Sequence, residues 1–275
     1  MSDRIDRISD REIVSFQRRV LNYYKRHGRD LPFRRTTDPY RIAVAEIMLQ
    51  QTQVERAVPK YEAWIARWPD WASLAKASTK ELLSAWSGLG YNRRAMFLGR
   101  MAEAVVRDFG GVLPEDPESL KTLPGVGDYT ANAIAIFAFN KPLITIDTNI
   151  RKVFLLEFHL PDDTTRAEIE TLALRALPKR RSRDWHNALM DYSRGALRTP
   201  ERKIAPLTRQ GRFEGSRRQI RGEIVRRLTT QTRVSLATIA NDLGRTIEDV
   251  RDAANTLAAE QVIVLTDKTA RLRED

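Results

Sequence analysis

"LPGVGDYTANAI", residues 123–134, joins two kinds of local chemistry. Leu123-Pro124-Gly125-Val126-Gly127 is a turn, in which proline fixes one φ and the glycines open backbone conformations closed to other residues. From Asp128 onward the stretch is an apolar helix former. A glycine-rich turn aimed at a helix start has two uses. It makes a tight corner between helices, or it presents main-chain N–H groups that grip a phosphate at the positive end of the helix dipole. Such a grip reads no base, so it binds DNA without sequence preference. The stretch alone fits both uses equally.

Outward from this turn the pattern is helical almost throughout. Ile13, Phe16, Val20 and Tyr23 recur at helical steps and mark one buried face. "YRIAVAEIMLQ", residues 40–50, is apolar enough for a central core helix. Thr52 and Glu55 have capping-box spacing, which predicts Thr52 as the N-cap of a helix bearing Val58, Tyr61, Trp64, Ile65 and Trp68. Ser78 and Glu81 repeat that signature. Gly88 and Gly90 interrupt the pattern, and "NRRAMFLGRMAEAVVRDF", residues 92–109, resumes it as far as Gly110-Gly111. The helix of the quoted stretch is expected to end near Asn140-Lys141-Pro142, with Asp147 N-capping the next one. Two further helices are expected in residues 166–177 and 184–197.

Residues 198–218 lose regularity and are rich in arginine, a linker or basic arm. Beyond them three helical stretches precede "VIVLTDKTARLRE", two short strands about Asp267-Lys268. Three helices and a hairpin make the pattern of a winged helix-turn-helix, whose third helix is the candidate groove reader. That helix begins with Glu248, Asp249 and Asp252, so protein contact or scaffolding is an equal expectation. The expected domains are therefore 1–197, the arm 198–218, and a winged-helix-like unit 219–275.

Composition narrows the function. A chain of 275 residues is long enough for a full core and for two units. The net charge of +11 favours a polyanionic partner, nucleic acid before an anionic membrane surface, although a solvated basic face carries charge as well. No window approaches the ~18 apolar residues of a membrane span, and the charged N-terminal stretch offers no apolar signal core. A cytoplasmic, nucleoid-associated location is expected. With 0 cysteines, disulfides, thiol nucleophiles and cysteine-held zinc or iron–sulfur centres are excluded. His27, His159 and His186 lack ligand spacing, and each is expected to be a surface or partly buried polar residue.

Four motifs in order, "AEIMLQQTQV", "GLGYNRRA", "LPGVGDYTANAI" and "IDTNIRKV", resemble the helix-hairpin-helix DNA glycosylases, closest to the A/G-specific adenine DNA glycosylases. The resemblance covers roughly residues 10–197. It implies an all-α fold of two helical lobes, with the termini in one, the central helices in the other and the active site in a cleft between them. The small C-terminal unit is additional. By position, the family implies Glu46 as the general acid for the departing base and Asp147 as the stabiliser of positive charge at the sugar. Asn149 would orient that aspartate, and Tyr129 stands where bifunctional relatives place a Schiff-base lysine. Tyr91 with Leu89 would wedge into the duplex, Gln51 would touch the opposing base, and Arg34 matches an arginine near the substrate pocket. Gly125, Val126 and Gly127 would hold the DNA backbone. The carbonyls of Lys121, Leu123 and Val126 would hold a structural Na+ or K+.

The residue chemistry agrees with these roles. Breaking an N-glycosidic bond passes through an oxocarbenium-like state, which calls for an acid at the leaving base and an anion beneath the sugar. Glu46 lies in an apolar helix, where desolvation is expected to favour its protonated form, and Asp147 at a helix start, where the dipole favours charge. Taken singly, Asp147 also reads as a plain N-cap, Glu46 as a buried acid paired with an arginine, and Tyr91 as a core aromatic. Asp191 is expected either to line the pocket or to cap a polar network.

The chain departs from the family in three ways. The four cysteines that hold an iron–sulfur cluster just after "ALMDYSRGAL" are absent, which makes it a clusterless member with no required cofactor. The arm around Arg209, Arg212, Arg217 and Arg218 would then supply phosphate contacts. A winged-helix-like unit stands in place of the domain that inspects 8-oxoguanine. Tyr129 in place of lysine predicts a monofunctional enzyme, without strand cleavage. The expected partner is double-stranded DNA with a mispaired base, adenine opposite guanine or 8-oxoguanine, bound by a monomer. The alternatives are thymine or uracil opposite guanine, and a non-catalytic DNA-binding protein.

Overall fold

The computed structural model describes residues 3–197, 204 and 213–273. In chain order the elements are α1 (Asp3–Asp6), α2 (Asp10–His27), a 3-10 turn (Pro32–Arg34), α3 (Pro39–Leu49), α4 (Val54–Arg67), α5 (Trp71–Leu74), α6 (Thr79–Trp86) and α7 (Arg93–Phe109). There follow α8 (Pro117–Lys121), α9 (Asp128–Phe139), α10 (Thr148–Glu157), α11 (Arg166–Arg175) and α12 (Ser182–Gly195). The last part holds α13 (Arg217–Leu228), β1 (Val234–Ser235), α14 (Leu236–Leu243), α15 (Ile247–Ala259), β2 (Ile263–Leu265) and β3 (Thr269–Leu272). The mostly helical architecture read from the periodicity holds. Among the described residues no helix is long and apolar enough to cross a membrane.

Two compact units are each assembled from separated stretches. The first takes Met1–Ala43, Glu115–Lys121 and Val126–Arg209; the second takes Val44–Pro114, Thr122–Gly125 and Gln210–Asp275. In the first, α2 opens with a capping box between Ser9 and Glu12 and buries Ile13, Phe16 and Val20. Phe16 is edge-on to Phe154, Phe158 and Trp185, with centroids 5.5, 5.0 and 5.5 Å away, so α2, α10 and α12 close on one aromatic cluster. Lys121 at the end of α8 pairs with Glu118 at 2.8 Å and Asp128 at 3.2 Å, tying α8 to the start of α9.

The second unit is built on tryptophans. Trp64 stands 4.6 Å from Trp68 and 5.5 Å from Trp86, and α7 lays Ala95, Leu98, Met101, Ala102 and Val105 into the same interior. Gly110 ends α7 with φ 62, a left-handed cap that glycine reaches without a Cβ clash. The last six elements run helix, strand, two helices, two strands. The sheet is antiparallel in the order β1-β3-β2, with Val234 opposite Ala270 and Ile263 opposite Leu272. α13 packs against α6, so this C-terminal part shares a compact unit with the central helices.

Several expectations change. The N-cap of α4 is Gln53, without a side-chain bond, and not Thr52, whose hydroxyl is engaged elsewhere as described below. The second helical stretch of the C-terminal part opens with a strand, β1, ahead of α14. α13 begins at Arg217, inside the expected arm, while Arg209 and Arg212 lie outside the described residues. His186, expected at the surface or partly buried, is 1% exposed.

Candidate active site

Asp147 is fixed from both sides along the chain. Upstream, Ile146 is buried and the Thr145 N–H donates to His186 Nε2 at 3.2 Å. Burial pushes His186 down to about 4 from its ordinary 6.5, against the opposing pull of the Ser182 carbonyl at Nδ1, so a neutral ring accepts this bond. Downstream, Asp147 Oδ1 accepts from the Ile150 N–H at 2.7 Å and caps α10, and Oδ2 accepts from Asn149 Nδ2 at 2.9 Å. Both carboxylate oxygens thus act as acceptors.

The quoted turn runs along the chain from the second unit, which holds Gly125, into the first, which resumes at Val126. Tyr129, half-buried, is the second residue of α9, and Gly127 is its N-cap, with no side chain to cap the first-turn N–H groups. The two glycines differ in kind. Gly125 has φ 79 and a Cβ there would stand 2.6 Å from the Phe97 Cβ, so the fold itself demands glycine. Gly127 has an ordinary φ of −99 and nothing within 4 Å of where a Cβ would sit. The fold therefore does not require glycine at 127. Val126 and Leu123 are buried.

Arg34 and Asp191 resolve into a network. Asp191, 3% exposed, accepts from Arg34 Nη1 at 2.7 Å, Arg29 Nε at 2.6 Å and the Arg29 main-chain N–H at 2.8 Å. Burial pushes its carboxyl up, but these bonds outweigh burial and hold it below the ordinary carboxylate range. The guanidinium of Arg34 is committed to this carboxylate.

In the second unit Glu46 is half-buried on α3 between buried Ala45 and Ile47. α3 ends at Leu49 and hands over to Gln51, whose φ of 53 is left-handed. The loop after α6 is equally unusual: Gly88, Gly90 and Tyr91 have φ of 93, 74 and 48. Both segments hang on a residue the sequence reading passed over. Arg94, 6% exposed, donates from Nη1 to the carbonyls of Ile47, Met48 and Gln50 at 2.9, 3.0 and 2.7 Å. From Nη2 it donates to the carbonyls of Leu89 and Gly90 and to Thr52 Oγ1, at 3.1, 3.0 and 3.2 Å. One guanidinium thus caps the carbonyl end of α3, takes the Thr52 hydroxyl, and pins the Tyr91 loop. Its charge centre lies 5.1 Å from the Trp86 ring and 5.7 Å from the Tyr91 ring, and Trp86 Nε1 donates to the Gly90 carbonyl at 2.9 Å. Burial pushes Arg94 down to about 10, still protonated at neutral pH. The signal was in the sequence: an arginine on the stripe Leu98, Met101, Ala102, Val105 is a charge on an apolar face.

Tyr91 is 41% exposed, whereas Leu89, expected to share the wedge, is buried at 4%. The loop presents the tyrosine and buries the leucine.

Residues 44–179 match the family model described as HhH-GPD superfamily base excision DNA repair protein. The adenine DNA glycosylase of Mycobacterium tuberculosis is 37% identical over 232 residues, spanning 75% of this chain and 76% of its own. The chain belongs to the HhH-GPD superfamily of base excision DNA repair proteins. This HhH-GPD chain is also 32% identical over 206 residues to the thymine/uracil-DNA glycosylase of Pyrobaculum aerophilum, covering 71% of the present chain and 90% of that enzyme. The solved structure of a thermostable thymine-DNA glycosylase superposes with a TM-score of 0.63 at 28% identity, over 70% of this chain and 91% of the other. An iron–sulfur cluster held by cysteines does not fit this member, which has 0 cysteines. After α12 the chain is instead tied down by Lys152, which donates to the Leu197 carbonyl at 2.7 Å.

Proposed function

We propose that this protein is a monofunctional DNA glycosylase that hydrolyses the N-glycosidic bond of adenine mispaired with guanine or 8-oxoguanine. The observation that carries the reading is Asp147, held at both carboxylate oxygens on the helix after the hairpin turn. In this reading Glu46 donates its proton to the base as the C1′–N bond breaks and the bonding electrons leave with the base. Asp147, oriented by Asn149, stabilises the positive charge left on the sugar. Water then adds to C1′ and returns a proton to Glu46, so the carboxyl is restored.

The remaining residues serve access. Extruding a nucleotide costs a few kcal/mol, least at a mispair, and Tyr91 fills the gap while Gln51 meets the base opposite. Gly125, Val126 and Gly127 hold a phosphate at the start of α9. Tyr129 has no amine, so no Schiff base forms with the sugar and the strand is not cut.

The second reading, thymine or uracil opposite guanine, is favoured by extent: the match spans 90% of the thymine/uracil enzyme but 76% of the adenine enzyme. Single-turnover base release on duplexes with A·G, A·8-oxoguanine, T·G and U·G decides between them. Adenine release that disappears in Asp147→Asn is expected; release of pyrimidines alone moves the substrate. Duplexes that bind but lose no base refute the enzyme. A borohydride-trapped adduct would contradict the monofunctional chemistry.

A further inference from the structure

Inside the second unit a groove of about 560 Å3 runs between the Tyr91 loop and α13 of the C-terminal part. Arg56, Arg218, Arg221 and Arg226 line it, and no carboxylate is among its described lining residues. Arg221 is paired with Glu260, and Arg226 forms a two-point pair with Glu223 through Nε and Nη2. These pairs hold the two guanidinium groups in place and occupy only part of their five N–H donors. The groove is also bordered by Tyr91 and Phe213, 41% and 60% exposed, the two aromatics among the large hydrophobic side chains that the described residues leave exposed. Arginine donors beside exposed ring faces, in a channel without acids, are what an unpaired nucleic-acid strand requires: phosphates meet the guanidinium groups and bases stack on the rings. A helix–helix crevice left by imperfect packing would not combine both.

We propose that this groove seats the DNA strand opposite the excised base, with the unpaired nucleotide stacked on Phe213 and its flanking phosphates on Arg56 and Arg218. The choice of strand rests on the glycosylase reading. Gln51, which that reading sets against the opposing base, lines the same groove, so the strand carrying that base continues along it. The C-terminal part then acts on the DNA through α13, and its acidic third helix need not enter a groove of the duplex.

The test uses the full chain and needs no turnover. Binding is followed by fluorescence anisotropy between 50 and 200 mM KCl on two duplexes. One carries a stable abasic analogue opposite guanine; the other is fully paired. Arg56→Ala with Arg218→Ala is expected to reduce the magnitude of the log–log salt slope by about two, near 0.9 for each phosphate no longer neutralised. Arg107→Ala, an exposed arginine paired with Asp108, serves as the control and leaves the slope unchanged. Phe213→Ala is expected to weaken binding to the abasic duplex about fivefold or more and to leave the paired duplex unaffected, whereas Phe213→Trp keeps the preference. An unchanged slope in the double variant, at an unchanged melting temperature, overturns the groove as a phosphate site. A Phe213→Ala protein that binds both duplexes like the parent overturns the seating of the unpaired nucleotide. Base release is scored separately: a parent protein that releases none refutes the enzyme reading, while the slopes still judge the groove.

Discussion

Arg94→Met is the perturbation that best probes the second unit. Methionine fills much of the volume of the arginine stem but has no N–H, so six acceptors lose their donor: five main-chain carbonyls and the Thr52 hydroxyl. A hydrogen bond to a charged group contributes about 1.5–3 kcal/mol, but six sharing one guanidinium do not add. Removing a buried cation also removes its desolvation, which offsets part of the loss. Breaking a buried charged network typically costs about 3–5 kcal/mol, and the lower end, about 3 kcal/mol, is expected here because Gln50 and Thr52 are only half-buried. Two non-glycine residues held left-handed, Gln51 and Tyr91, each store about 1–2 kcal/mol that the network sustains. Without Arg94 both segments relax toward ordinary φ and lose the presented geometry. At about 2–4 °C per kcal/mol the melting temperature should fall by roughly 6–12 °C. Single-turnover base release at saturating protein should slow at least about tenfold, since small displacements of positioned groups cost that much or more. Arg94→Lys, with three donors on one nitrogen, should fall between. Circular dichroism melts and base release are read on the same preparations. A methionine variant within about 1 kcal/mol of the parent would refute the network as the support of the loop.

Three other outcomes follow from single positions. Gly125→Ala should destabilise by about 2 kcal/mol or more, from its positive φ and the Phe97 contact, whereas Gly127→Ala should melt within about 0.5 kcal/mol of the parent and still weaken DNA binding in anisotropy. His186 titrates near 4 folded and 6.5 unfolded, so between those values the unfolded chain binds more protons and stability falls as pH falls. Urea unfolding should show this residue contributing a drop of about 2 kcal/mol from pH 7 to pH 5, absent in His186→Gln. Asp191→Asn leaves Arg29 and Arg34 without their shared anion and should cost about 3–5 kcal/mol, measured in the same titration.

Most of the fold was legible because it is written locally. Helix faces repeat within a few residues, Ser78 and Glu81 satisfy each other across three positions, and Gly110 caps where it stands. Asp147 was legible as an N-cap for the same reason, its carboxylate taking the Ile150 N–H three positions on, whereas Asn149 was implied by the family motif. What escaped depends on partners far along the chain. Thr52 has capping-box spacing, yet its hydroxyl goes to Arg94, 42 positions away, and leaves Gln53 to begin the helix. β1 is two residues whose pairing partner, β3, lies more than thirty positions further on. His186 is buried beside Phe137 and accepts from the Thr145 N–H, 41 positions upstream. Leu89 and Tyr91 look alike as loop-tip hydrophobics, and it takes the Arg94 bonds to the Leu89 and Gly90 carbonyls to send one inward and leave the other out.

The interleaving of the two units bears on how the chain is born. Val44–Pro114 emerges from the ribosome before the segment that completes its unit, Gln210–Asp275, which follows only after the whole of Val126–Arg209. The first unit closes around a gap of its own, between Ala43 and Glu115. Neither can finish as a local hairpin of helices, and contacts of such separation form slowly. Until α13 is made, α6, which carries Trp86, lacks the helix that packs against it, and uncovered apolar surface is the condition under which nascent chains aggregate or recruit chaperones. A chain interrupted before α13 would therefore leave α6 without its packing partner as well as lose the C-terminal helices.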